Sequence, residues 1–273
     1  MLKKLKKLKS LNLHSILNTI LVASLCAGSI NCIGIQGPVR APNPVAKAVN
    51  QNTIHKNGCG IASLINAYRF ATPKWKQATR KIVGNTDREQ FNYIAKNYGA
   101  VRSRYTPATR RWESSSGISS VDLVDLANDF QHKQNIPLPN LRLTTYYKQP
   151  NETYTALLKR THRQLRSDLK SGFPPIISIK HLISNKIEGH IVILYEIPSS
   201  IPNNASSFPI KYIDPLGGII KSGIIKVPGN PRTFSKLKQS KPRTLTMHLP
   251  QSNMAKKDQN TGDNIVLSSS IAP

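Results

Sequence analysis

Gly189-His190-Ile191-Val192-Ile193-Leu194-Tyr195-Glu196-Ile197 is a nearly unbroken apolar run opened by a glycine and a histidine. So short a run, rich in β-branched and aromatic residues, predicts a buried strand rather than a helix. Upstream, Gly172-Phe173-Pro174 breaks the chain and Pro175-Ile176-Ile177-Ser178-Ile179 follows as a second strand of the same kind. Downstream, a loop over Pro198 to Pro209 leads to Ile210-Lys211-Tyr212-Ile213, which ends at Asp214-Pro215. Gly218 to Val227 then follows another turn. The C-terminal half thus reads as antiparallel strands joined by turns.

The preceding half reads as helices. Cys59 to Phe70 carries apolar Ile61, Leu64, Ile65 and Tyr68 at helical spacing, and Ala71-Thr72-Pro73 ends it. A helix over Asp87 to Asn97 is capped near Thr86 and stopped by Gly99. Residues 100–116 form a polar, basic excursion with Arg102, Arg104, Arg110 and Arg111. Ser119 and Ser120 cap a third helix with Val121, Leu123, Val124, Leu126, Ala127 and Phe130 on its apolar face. Leu141 to Tyr147 reads as a strand, and a fourth helix spans Glu152 to Lys170. On that last helix Lys159, Arg163, Arg166 and Lys170 share one face, the usual pattern of a helix side turned to water. Helices first and antiparallel strands second indicate an α+β domain, with the Cys59 helix packed on a C-terminal antiparallel sheet.

The ends read differently. Lys3, Lys4, Lys6, Lys7 and Lys9 precede an apolar stretch from Ile16 to Ala27 and then small residues. That is the tripartite pattern of a signal peptide over residues 1–32, with an uncleaved anchor as the rival reading, and it implies an exported protein, periplasmic or secreted. Residues 33–50 read as a linker or short pro-segment, since Pro38, Pro42 and Pro44 oppose regular structure. Residues 51–250 form the folded domain, and the polar stretch 251–273 reads as a disordered tail. The formal net charge of the 273-residue chain is +26. Such a body suits an anionic surface or cell-wall polymer as a partner. No zinc-finger spacing or aromatic RNA-binding signature accompanies the charge, so nucleic acid is not the expected partner. A membrane would be met only through an uncleaved leader, and the protein is expected to be a monomer.

Two of three cysteines, Cys26 and Cys32, lie in or beside the leader, leaving Cys59 as the thiol of the folded body. It stands where His55-Lys56-Asn57-Gly58 turns into a helix, a setting that favours thiolate over thiol. His190 and Asp214 would be neighbours if their strands pair as a hairpin. A nucleophile, a base and an orienting carboxylate would then share one rim. The Cys59 N–H could donate to an oxyanion, and Gly58 and Gly60 could let a substrate carbonyl approach the backbone. His55, His162 and His181 are lesser base candidates. No metal-ligand spacing and no phosphate-binding glycine loop is present, so neither metal nor cofactor is expected.

Cys59-Gly60-Ile61-Ala62-Ser63-Leu64 resembles the nucleophile helix of papain-like cysteine peptidases, nearest to bacteriocin-leader peptidase-like and phytochelatin synthase-like proteins. Gly189-His190-Ile191-Val192 and Tyr212-Ile213-Asp214-Pro215 resemble their His and Asp strands, and the likeness spans residues 50–227. It implies a papain-like fold and a cysteine hydrolase or acyl-transferase cleaving a peptide or isopeptide bond of a peptide or protein substrate. Cys59 would be the nucleophile, His190 the base and Asp214 its orienter. Thr53 stands where these families usually carry an oxyanion-hole glutamine, and Gln51, two residues earlier, is the candidate in its place. The alternative is a catalytically inactive papain-like binding protein or secreted effector that uses its basic surface. The transglutaminase-like order of residues fits less well because Cys59 and His190 lie far apart, and Asp214 argues against a Cys-His-His amidase.

Overall fold

A computed structural model describes residues 37–183, 186–229, 244–252 and 265–273. The signal-peptide reading of residues 1–32, with Cys26 and Cys32, lies outside these residues. Among them are five α-helices: α1 (Cys59–Phe70), α2 (Pro73–Lys76), α3 (Asp87–Ile94), α4 (Ser120–Lys133) and α5 (Tyr154–Lys170). The strands are β1 (Val39–Arg40), β2 (Trp112–Glu113), β3 (Gly117–Ile118), β4 (Arg142–Thr145), β5 (Ile176–Ile183), β6 (Lys186–Ile197), β7 (Ser207–Asp214), β8 (Ile219–Lys226), β9 (Thr246–His248) and β10 (Ile265–Ala272). The protein is α+β, helix-rich first and strand-rich second.

The large sheet closes on itself. Antiparallel pairing runs from β6 through β5, β10, β9, β8 and β7, and β7 pairs back to β6, so six strands make a barrel. Closure satisfies backbone groups that an open sheet would leave along its edges. β1 lengthens the pairing at the end of β6, and β4 pairs with β10. On β7, buried Phe208, Ile210 and Tyr212 alternate with Ser207, Pro209 and Lys211. On β8, buried Lys221, Gly223 and Ile225 alternate with exposed Ile220, Ser222 and Ile224. Both strands therefore turn one face inward, and a lysine sits on that face.

α1 is buried along nearly its whole length, so its polar residues must find partners inside. Ser63 Oγ donates to the Ile191 carbonyl at 2.9 Å, Asn66 Oδ1 accepts from Val49 N at 2.7 Å, and Gln131 Nε2 donates to the Tyr68 hydroxyl at 2.9 Å. The first of these ties α1 to β6 one residue past His190. α3 starts with a capping box, Thr86 against the N–H of Glu89 and Glu89 back onto Thr86.

Several expectations are corrected. The expected disordered tail of 251–273 contains a strand: β10 is buried at every position and is paired on both sides. Its Ser268-Ser269-Ser270 core lowers the local hydropathy, yet serine is small enough to pack and is satisfied by neighbours such as Tyr146 Oη, 2.6 Å from Ser270 Oγ. The 33–50 segment is not wholly irregular, since Val39 and Arg40 pair with Ile197 and Glu196. The second helix stops at Ile94 and continues as a π-helical turn, Ala95–Gly99. His190 lies inside β6 rather than at its start, because the β5–β6 ladder continues past the apolar run to the Ile183–Lys186 pair. The basic excursion is anchored: buried Arg111 bonds Asp129 at 2.7 Å and lies 3.9 Å from Asp125, both on α4. Among the described residues no helix is long and apolar enough to cross a membrane.

Candidate active site

Cys59 is the first residue of α1, and its N-cap is Gly58, which offers no side-chain cap. The first-turn N–H groups are thus left to other acceptors, and the positive end of the helix dipole lies at the sulfur. Cys59 is half-buried and is the free cysteine of the described residues. His190 hydrogen-bonds it, and the N–H groups of Ile191 and Gly60 also reach the sulfur.

Behind Cys59 the groups run inward. His190 Nε2 and Asp214 Oδ1 are 2.8 Å apart. With Nε2 engaged by Asp214, Nδ1 is the ring nitrogen left for the thiol. Leu216 N donates to the same Oδ1 at 2.9 Å, and Lys221 Nζ donates to Oδ2 at 2.7 Å. Exposures of 4% for His190, 0% for Asp214 and 5% for Lys221 leave only the sulfur end open. Burial alone would push the Cys59 thiol up, but the His190 hydrogen bond and charge and the two N–H groups outweigh it, leaving the thiol below its ordinary value. Burial likewise opposes charge on His190, but Asp214 and Cys59 raise its pKa to about 9. Asp214 is lowered, since His190 and then Lys221 more than offset its burial. The arrangement favours thiolate and imidazolium as the resting pair.

Two supports place these groups. Ser63, one turn beyond Cys59, holds β6 at Ile191. The Asp214 turn is held by the segment before α1: Gln51 N donates to the Pro215 carbonyl at 2.8 Å and Gly217 N to Asn50 Oδ1 at 3.2 Å. Gln51 is buried, and its Nε2 donates to the Lys56 carbonyl at 2.8 Å. It therefore lies in the loop that delivers Cys59, with one proton of its amide committed there and one left to donate.

The structure brings Cys59, His190 and Asp214 together. It does not bring the other histidines into the row. His55 lies flat against Phe91, with ring centroids 6.4 Å apart, and edge-on to Trp112 at 5.0 Å. His162 Nε2 bonds the Pro198 carbonyl at 2.8 Å, and His181 is buried on β5 opposite Glu188. Gly58 and Gly60 are corrected too. Both are buried, and a Cβ would come within 2.9 Å of the Phe91 ring at Gly58 and 2.2 Å of Ile118 at Gly60. Their smallness lets α3 and β3 close over the helix start rather than admitting a substrate. Sequence reading missed Ser63 and Lys221. A lysine between Ile220 and Ser222 on a strand carries no local sign of facing inward.

Among the described residues no three His, Cys, Asp or Glu side chains are grouped to hold a metal ion. A groove lined by Pro38, Pro198, Pro209, Ile224, His248 and Pro250 contains none of the row. Its lining is largely apolar, whereas the chemistry is polar and lies at Cys59. No known protein-family model matches the chain, and no curated protein matches it in sequence.

Proposed function

We propose that this chain is a papain-like cysteine peptidase or acyl-transferase that opens a peptide or isopeptide bond. The observation that carries the reading is the hydrogen-bonded row Cys59–His190–Asp214, with its sulfur at an uncapped helix start and its open end toward solvent. The order of nucleophile helix first and histidine and aspartate strands later adds support.

In this reading the Cys59 thiolate attacks the substrate carbonyl carbon and a C–S bond forms. The oxyanion is met by the Cys59 N–H and the remaining proton of the Gln51 amide. His190 then gives its Nδ1 proton to the leaving nitrogen as the C–N bond breaks. Water, or an acceptor amine, next loses a proton to His190 and attacks the thioester, and the C–S bond breaks. Asp214 holds the ring through Nε2 throughout. The net charge suits acidic or wall-associated substrates, and the signal-peptide pattern read in residues 1–32 suits an exported protein.

Alkylation by iodoacetamide tests the reading without a known substrate. At about pH 6 Cys59 should react at least ~100-fold faster than a free peptide thiol, because a thiolate persists there. His190→Ala should remove about that factor, and digestion of a peptide library should stop in Cys59→Ala. A Cys59 no faster than a peptide thiol, unchanged by His190→Ala, would support the inactive binding protein instead.

A further inference from the structure

We propose that Lys221 is a positioning residue of the Cys59–His190–Asp214 row: it fixes the Asp214 carboxylate and offsets its charge, and so sets the pH range in which thiolate and imidazolium coexist. This rests on the reading of the row given above. The resemblance implies Asp214 as the orienter of His190 and no residue behind Asp214.

The geometry carries it. Asp214 has two oxygens and both are engaged from different directions, Oδ1 by His190 Nε2 and Leu216 N, Oδ2 by Lys221 Nζ at 2.7 Å. Three contacts on one carboxylate leave its plane no freedom to turn, and the His190 ring takes its orientation from that plane. Lysine is almost never fully buried without a partner. Exchanging a buried ion pair for apolar side chains is often neutral or stabilising, so the pair gives the barrel no evident stability advantage.

Charge supplies the second part. From solvent inward the row reads thiolate, imidazolium, carboxylate and ammonium, and it sums to zero. Without the last member Asp214 would hold the His190 proton more firmly, and the thiolate would sit in a net negative site. The other polar groups on this face do not replace Lys221. The Tyr212 phenol beside Asp214 is neutral, its pKa raised by burial and by that carboxylate. His181 and Glu188 face one another across β5 and β6, on the His190 side of the ladder but two residues further along it.

The rate of Cys59 alkylation by iodoacetamide against pH, on the full chain, tests this. Two steps are expected, a lower one as the thiolate–imidazolium pair forms and an upper one as His190 loses its proton. Lys221→Met should move both steps up by about one pH unit. Lys221→Gln, which can still donate to Oδ2 without charge, should shift them by the same sense, and Lys221→Arg should hold them in place. Steps unmoved in folded Met and Gln variants would overturn the proposal. Should neither fold, reductive methylation of the unaltered chain decides: Lys221 should resist modification, and methylation as fast as at exposed lysines overturns the proposal. A wild-type Cys59 as slow as a peptide thiol would instead overturn the parent reading, so the two failures are distinct.

Discussion

Two polar clusters are buried in the barrel region, and they are built on opposite principles. Around β6, β7 and β8 lies the charged row of His190, Asp214 and Lys221, with Cys59 at its open end. Around β4 and β10 lies a neutral set: Tyr146 Oη meets Ser270 Oγ at 2.6 Å, and Thr244 Oγ1 meets the Leu267 carbonyl at 2.5 Å and the Tyr146 carbonyl at 2.9 Å. Neutral hydroxyls lose little on burial once each is bonded, so the second set joins strands at small cost. Buried charges cost several kcal/mol each unless every one is paired. Such a cost is understandable where proton transfer is the purpose. One cluster joins strands, and the other, under the proposed function, holds the protons that the reaction moves.

The largest test of that contrast removes the strand under the neutral cluster. Truncation before Ile265 should abolish cooperative unfolding, since β5, β9 and β4 would each lose a partner; circular dichroism during urea titration reads it. A chain that still unfolds cooperatively would show that β10 is not needed for closure. Next in size, Asp214→Asn should cost about 3–5 kcal/mol, because Lys221 would be left as a buried cation without its anion. Urea midpoints check it, and a loss under 1 kcal/mol would mean that Lys221 finds water.

The charged row should also make stability depend on pH between about 4 and 9, while the hydroxyl cluster should not in that range, since burial raises the Tyr146 phenol above its ordinary value of 10. His190 is raised from 6.5 to about 9, so its contribution is full below about 6.5 and is lost as pH rises through about 9. Asp214 is lowered, so its contribution is present above about 3.8 and is lost as pH falls through its folded value. The lowered Cys59 acts oppositely to His190: its contribution is present above about 9 and fades as pH falls, which offsets part of the alkaline loss. Cys59→Ala should therefore lose stability more steeply than the intact chain on going from pH 6.5 toward 9. Equal slopes in the two proteins would separate Cys59 from His190. The smallest effect is on the neutral side. Ser270→Ala should cost about 1 kcal/mol by leaving the Tyr146 hydroxyl unpartnered, with no change in Cys59 alkylation.

The two clusters also differ in how far the sequence revealed them. Cys59, His190 and Asp214 were legible because each marks a local boundary: a helix start, a glycine-led apolar run, and a strand end before proline. Ser63 and Lys221 were not, since a serine in a helix and a lysine in a strand look like water-facing residues until their partners are known. β10 was hidden for the same reason, its three serines resembling the polar residues that precede them. Gln51 was singled out only through the family resemblance, as the glutamine near the position Thr53 occupies, and its bond to Lys56 and its tie to Pro215 depend on how the loop folds.

By itself the sequence determined that the long helices come first and the strands over 176–226 later, the capping at Thr86 and Ser119, and the thiol, imidazole and carboxylate to look for. These follow from local periodicity and from side-chain chemistry, which act within a few residues. Only the tertiary structure decided that the sheet closes, that its last strand comes from the chain's end, that Gly58 and Gly60 serve packing, and that a lysine completes the row. Those depend on pairings between residues far apart in the chain, where burial rather than sequence neighbourhood sets which polar groups must meet.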